Sequence, residues 1–70
     1  MDRKRYLELC QINAVFPKRE TVIYGDMEYH PKALVVSFEK NGETINTARI
    51  ISPVCNSVVE VRVEEIKEKI

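Results

Sequence analysis

The chain has 70 residues, with 11 basic and 11 acidic side chains, and therefore no formal net charge at pH 7. A chain of this length is expected to form one small domain, residues 1–70, with little area for a deep catalytic cleft. Its 44% hydrophobic and 31% charged residues are typical of a globular domain rather than a disordered segment. The neutral balance also argues against the strongly basic surface of a dedicated nucleic-acid-binding protein.

The apolar runs are short, as in Ala33-Leu34-Val35-Val36, so no transmembrane helix is predicted. The basic start of the chain resembles the first part of a signal peptide. However, Glu8 and other polar residues interrupt what would be its apolar segment. We therefore expect a cytoplasmic protein that has no membrane partner.

Two cysteines, Cys10 and Cys55, are too few for a disulfide framework and lack the spacing of a metal or redox pair. Both are expected to be reduced and buried as small hydrophobic side chains. Nucleophilic catalysis would need one of them beside His30, the only histidine, together with an orienting group, and the sequence has no such pattern. We predict no catalytic residue, no metal site and no cofactor, and we do not expect an enzyme.

The first predicted element is a helix over residues 3–15, with Asp2 as its N-cap. Tyr6, Cys10 and Asn13 lie near one stripe of this helix, and neighbouring apolar residues widen its buried face. Pro17 disfavours helical geometry in the residue before it, so the helix should end at or before Phe16.

β-Branched residues are concentrated after residue 20, and they favour strands. We predict strands at residues 21–24, 27–38, 43–51 and 57–63. Pro31 cannot donate a hydrogen bond to a neighbouring strand, so it indicates an edge, a bulge or a bend in the second strand. An offset of one residue at His30-Pro31 would bring the apolar residues of both halves to the core face.

Asn41-Gly42 predicts a hairpin between the second and third strands. A two-residue turn would pair Lys40 with Glu43, whereas a three-residue loop with Gly42 in left-handed geometry would pair Glu39 with Glu43. The apolar pattern fits both registers equally well, so the sequence leaves the choice open.

After the last predicted strand, Val63, Ile66 and Ile70 follow helical spacing. We predict a short C-terminal helix beginning near Glu64. Its surface would carry the ion pairs Glu64–Lys67 and Glu65–Lys69.

These elements predict an α+β fold, in which an N-terminal helix packs on a small antiparallel sheet of about four strands with a short C-terminal helix. The alternative is an SH3-like barrel with an added helix. The helix-covered sheet is preferred because the N-terminal helix carries more apolar surface than a free appendage should expose.

Short motifs along most of the chain resemble small uncharacterised proteins encoded by phages and integrated mobile elements of Gram-positive bacteria. The motifs that carry this resemblance are Tyr6-Leu7-Glu8-Leu9-Cys10, Glu28-Tyr29-His30-Pro31, Ser37-Phe38, Gly42, Thr47-Ala48-Arg49-Ile50, Asn56-Ser57-Val58 and Glu64-Glu65-Ile66. The resemblance implies a bacterial, intracellular, accessory role and transfers no functional residue.

Two binding functions fit a small domain without catalytic motifs. A protein-interaction module, an adaptor or modulator, would bind an unidentified protein or a second copy as a homodimer. For this function Tyr24, Met27 and Tyr29 are the candidate contact residues, since they cluster before the bend.

The alternative is an accessory protein that binds nucleic acid weakly through its basic N-terminal helix. Residues 1–19 hold five basic and two acidic side chains, a local balance of +3. The candidate phosphate contacts are Arg3, Lys4, Arg5, Lys18 and Arg19, with Tyr6 and Phe16 available for stacking on a base.

Overall fold

The structure, a computed structural model, describes residues 1–69. In chain order it contains α1 (Arg3–Val15), β1 (Val22–Tyr24), β2 (Met27–Phe38), β3 (Thr44–Ile51), β4 (Val58–Arg62), a 3-10 helix (Val63–Glu65) and β5 (Lys67–Glu68). The predicted α+β fold, an N-terminal helix on an antiparallel sheet, is confirmed, with five strands in place of about four.

Helix α1 begins and ends at the predicted residues. Asp2 occupies the N-cap position in extended geometry and its carbonyl oxygen accepts a 3.0 Å hydrogen bond from Tyr6 N–H, but its side chain makes no capping bond. The buried side chains of α1 are Tyr6, Leu9 and Cys10, which form its contact with the sheet. Within residues 1–69, no helix has the length and apolarity needed to span a membrane.

The sheet is antiparallel throughout, in the order β4-β3-β2-β1-β5. Strand β2 is shared between two halves, since residues 27–29 pair with β1 and residues 30–38 pair with β3. The register with β3 shifts by one residue between Pro31 and Ala33, so Lys32 is the extra residue of a bulge. An offset of one residue is therefore present as predicted, but it lies at Lys32, just after the predicted His30-Pro31.

The β2–β3 turn adopts the three-residue loop. Glu39 N–H donates to the carbonyl oxygen of Glu43 at 2.8 Å, and Gly42 N–H donates to that of Glu39 at 2.9 Å. Gly42 has a φ of 86°, the left-handed geometry that this loop requires. As a result Leu34 lies opposite Ala48, and both point to the core face.

The predicted C-terminal helix is wrong. Val63 and Ile66 are both buried, but they lie in and just after the 3-10 helix, where residues three apart share a face as they nearly do in an α-helix. The chain then extends as β5, which pairs with Val22 and Ile23 of β1. Ile70, the last residue of the predicted helix, lies outside the described residues.

The ion pairs Glu64–Lys67 and Glu65–Lys69 predicted within that helix are also wrong, because the charged side chains at the C-terminal end pair with other elements. Lys69 Nζ lies 2.6 Å from the Glu28 carboxylate on β2, and Glu68 accepts from Arg5 of α1. Both pairs join residues far apart in the sequence, which local spacing could not reveal.

The core lies between α1 and the sheet and consists of nine buried hydrophobic residues: Tyr6, Leu9, Cys10, Val22, Ala48, Ile50, Val61, Val63 and Ile66. Strand β2 is bent and shared by both halves of the sheet, and a 3-10 turn precedes the last strand. Over residues 1–69, β4 pairs only with β3 and β5 only with β1, so each leaves one edge without a neighbouring strand.

Candidate functional site

The two cysteines lie in different environments. Cys10 is buried on α1, as expected, and burial raises the pKa of its thiol. The expectation of burial is wrong for Cys55, which is exposed in the β3–β4 turn. The Cys55 sulfur lies 3.1 Å from the Ser57 hydroxyl, and this hydrogen bond, with a further one to Ser52, lowers the thiol pKa from its ordinary 9.0 to about 7.

His30 lies half-buried at the bend of β2. Its Nδ1 is 3.1 Å from the carbonyl oxygen of Glu20, which can only accept, so Nδ1 carries the proton.

Asn13 joins three segments beside His30. Its amide nitrogen donates to the carbonyl oxygens of Glu20 at 3.1 Å and Pro31 at 3.3 Å, and its amide oxygen accepts from Glu20 N–H at 2.8 Å. The sequence carried a signal for this role, because Asn13 is a polar residue within the apolar stripe of a helix. The network fixes the end of α1 against the bend of β2.

These segments enclose a groove of about 310 Å³ between the end of α1, the bend of β2 and the β3–β4 turn. Cys10 and Pro31 are buried at its base, while Lys18, Lys32 and Asn56 are exposed at its margin. We call this space the bend groove. It holds both Cys10 and His30, but the raised pKa of the Cys10 thiol works against a reactive thiolate.

Lys18 adopts a left-handed backbone with a φ of 66° at the margin of the bend groove. This geometry costs a non-glycine residue about 1–2 kcal/mol. Asn56 on the opposite margin has a φ of 57°, which asparagine tolerates more readily. A glycine would relieve the strain at residue 18, yet the chain places a charged side chain there.

The five basic residues proposed to contact nucleic acid are divided between the two ends of α1. A helix of 13 residues is ~18–20 Å long at 1.5 Å per residue. Arg3 and Lys4 are exposed in its first turn, whereas Lys18 and Arg19 follow its last. Arg5 is already paired, with its guanidinium 2.6 Å from Glu68 and 3.1 Å from Glu8.

The aromatic residues proposed for base stacking differ in accessibility. Tyr6 is fully buried, so its predicted availability for stacking is wrong. Phe16 is about half-exposed, and the Arg19 guanidinium carbon lies 5.1 Å from its ring centroid, within range of a cation–π interaction. Lys18 faces the bend groove and Arg19 lines a separate depression with Glu8, so even these two neighbours face different spaces.

Tyr24, Met27 and Tyr29, the candidate protein contacts, share one face of the β1–β2 hairpin. Tyr24 lies opposite Met27 in the strand register, and the Tyr24 and Tyr29 rings meet edge to face with centroids 6.3 Å apart. Both tyrosines pack half-buried against the core, whereas Met27 is 55% exposed. The exposed part of this surface is therefore centred on Met27.

At the other end of β2, Val36 and Phe38 lie on the face that carries Leu34 into the core. Their exposures rise to 42% and 77%, so the core layer ends before the hairpin does. We call these two residues the hairpin-end surface. Alternation along β2 predicted both on the core face, so the large exposure of Phe38 departs from that expectation.

Across residues 1–69, no group of three or more His, Cys, Asp or Glu side chains has the arrangement of a metal site. Comparisons with protein-family models, with curated proteins and with solved structures find no match.

Proposed function

We propose that this protein is a protein-interaction module, an adaptor or modulator that acts by binding another protein chain. The observation that carries the proposal is the exposure of Phe38 beside Val36 on the hairpin-end surface. Aromatic side chains bury a large apolar area at low conformational cost, and they are enriched among the residues that dominate binding energy. A partner that covers Phe38 would remove this area from water.

The surroundings of the hairpin-end surface support the same function. Glu39, Lys40 and Glu43 are exposed in the adjoining turn and carry charges of both signs. An apolar centre beside a mixed polar margin is the usual anatomy of a protein interface. Since the surface lies on paired strands, little conformational freedom would be lost on binding.

The Met27 surface, with Tyr24 and Tyr29, is a second contact region in this proposal. It lies at the opposite end of β2 from Phe38, so one small partner would not cover both. The proposed origin is a phage or mobile element of a Gram-positive bacterium, and the proposed location is the cytoplasm. The resemblance of the sequence motifs supports both, and the partner would be a host protein, an element-encoded protein or a second copy.

A pull-down with the immobilised full chain tests the function. The lysate of a Gram-positive bacterium is applied with and without nuclease, and retained proteins are identified by mass spectrometry. We expect the same protein to be retained in both arms and to be lost with Phe38→Ser. Because Phe38 is largely exposed, this change should alter the free energy of unfolding by no more than about 0.5 kcal/mol.

Val54→Ser is the matched control, since Val54 is 87% exposed in the β3–β4 turn rather than on the hairpin. It should retain the partner at the level of the unmodified chain. A homodimer in light scattering that Phe38→Ser dissociates would assign the surface to self-association. A monomer that retains no Phe38-dependent protein would contradict the proposal.

Weak nucleic-acid binding is the alternative function, and the exposed Lys18 and Arg19 are the observation in its favour. The ion pairs of Arg5 and the distance between the two ends of α1 weigh against a single phosphate-binding patch. Retention that disappears with nuclease, together with an affinity that falls steeply with salt, would favour this alternative.

A further inference from the structure

The bend groove has the dimensions of a small-molecule site. Its volume of about 310 Å³ lies at the lower end of the range, about 300–1,000 Å³, that is usual for ligand pockets. Three separate parts of the chain form it, namely the end of α1, the bend of β2 and the β3–β4 turn, and the Asn13 hydrogen bonds hold two of them together. The groove is therefore preformed.

The base of the bend groove is apolar and neutral. Pro31 and Cys10 are buried there, and Ile51 is half-buried beside them. The amide of Asn13 is occupied by backbone groups of Glu20 and Pro31, so it has little capacity left for a ligand. These walls fit an apolar body rather than a polyhydroxyl compound.

The margin of the bend groove is basic. Lys18 and Lys32 both line it, and among residues 1–69 neither forms an ion pair. The described lining residues include no Asp or Glu, although the chain carries 11 acidic side chains. Two lysines with no carboxylate among the described lining residues give the groove a local positive potential in a protein of zero formal net charge.

We propose that the bend groove binds a small organic anion, an apolar body that carries one phosphate or carboxylate group. The apolar body packs on Pro31 and Ile51, and the anionic group meets the ammonium groups of Lys18 and Lys32. Lys32 is the bulged residue of β2, Lys18 has a left-handed backbone, and both residues line the groove. Phe38 does not line this groove, so the site is independent of the proposed protein contact.

Titration of the ¹⁵N-labelled full chain tests this site by NMR at about 150 mM salt, where exposed charges are strongly screened. Phenyl phosphate and benzoate are the two anionic probes, and comparing them distinguishes a phosphate from a carboxylate group. Inorganic phosphate supplies the anionic group alone, and benzyl alcohol supplies the apolar ring without the charge. We expect saturable shifts of the Ala14, Lys32 and Asn56 amides with at least one anionic probe. Each half-ligand should bind at least tenfold more weakly.

The double variant Lys18→Gln/Lys32→Gln should weaken binding of the responding probe at least tenfold, and the control Lys40→Gln should leave it unchanged. Both groove lysines are exposed, and an unchanged ¹⁵N spectrum outside the groove verifies that the variant is folded. Equal binding by the double variant would overturn the proposal. The proposal would also be overturned if neither anion gave saturable shifts. It would be overturned as well if the shifts extended equally to the amides of Arg3 and Lys4.

Discussion

The hydroxyl of Tyr6 donates a 2.7 Å hydrogen bond to the backbone carbonyl oxygen of Arg49, and thereby joins the first turns of α1 to β3. The Tyr6 ring is fully buried, and burial raises the pKa of its hydroxyl well above the ordinary 10.0. The group therefore stays protonated and remains a donor throughout the neutral range. This bond spans 43 residues of sequence and fixes the helix relative to the sheet.

Tyr6→Phe should lower the free energy of unfolding by about 1 kcal/mol, because the ring is kept while the Arg49 carbonyl loses its side-chain donor. Urea denaturation followed by circular dichroism measures the change. Tyr24→Phe is the matched control, since Tyr24 is only half-buried and a change within about 0.5 kcal/mol is expected there. Equal effects of the two substitutions would show that the Tyr6 hydroxyl contributes nothing specific.

Gly42→Val should destabilise the β2–β3 hairpin by about 1–2 kcal/mol, because valine disfavours the left-handed φ of 86°. A Cβ built at residue 42 meets no atom within 4 Å, so the cost comes from backbone conformation rather than from a clash. Gly42→Asn is the control, and it should cost much less because asparagine tolerates this geometry. Thermal denaturation that fails to separate the two variants would contradict the assigned loop.

Cys55 should react with iodoacetamide faster than Cys10, with a rate that rises through a midpoint near pH 7. A thiol whose pKa is lowered becomes thiolate at a lower pH, and the thiolate is the nucleophile. The buried Cys10, whose pKa is raised, should stay largely unmodified over the same range. Peptide mass spectrometry after timed alkylation measures both sites in one sample.

The hydrogen bond from Ser57 is the main cause of the lowered pKa of Cys55, so Ser57→Ala should move the alkylation midpoint upward. Ser37→Ala is a suitable control, because Ser37 lies on β2, away from this turn. A midpoint unchanged by Ser57→Ala would mean that the serine hydroxyl does not stabilise the thiolate.

The sequence predicted only some of the features of the candidate binding surfaces. The grouping of Tyr24, Met27 and Tyr29 before the bend could be read from the sequence, but alternation placed Met27 on the core face and did not predict its exposure. The bend groove was beyond reach, because Cys10, Pro31 and Asn56 come from three separate segments. Nor could spacing reveal that Arg5 is neutralised by Glu68, since the two residues lie 63 positions apart.

The sequence by itself determined the elements whose causes are local. Pro17 ends α1, Pro31 lies at the bend of β2, and Gly42 supplies the left-handed residue of the hairpin. Each effect arises within a few residues and needs no distant partner.

Only the tertiary structure decided the three-residue register of the hairpin and the secondary structure of the C-terminal segment. The buried spacing of Val63 and Ile66 fits an α-helix or a 3-10 turn followed by a strand, so local pattern does not distinguish them. The strand is favoured because the edge of β1 at Val22 and Ile23 has backbone groups that need hydrogen-bond partners, and β5 supplies them. Spacing therefore indicated that Val63 and Ile66 face inward, and long-range pairing decided the structure in which they do so.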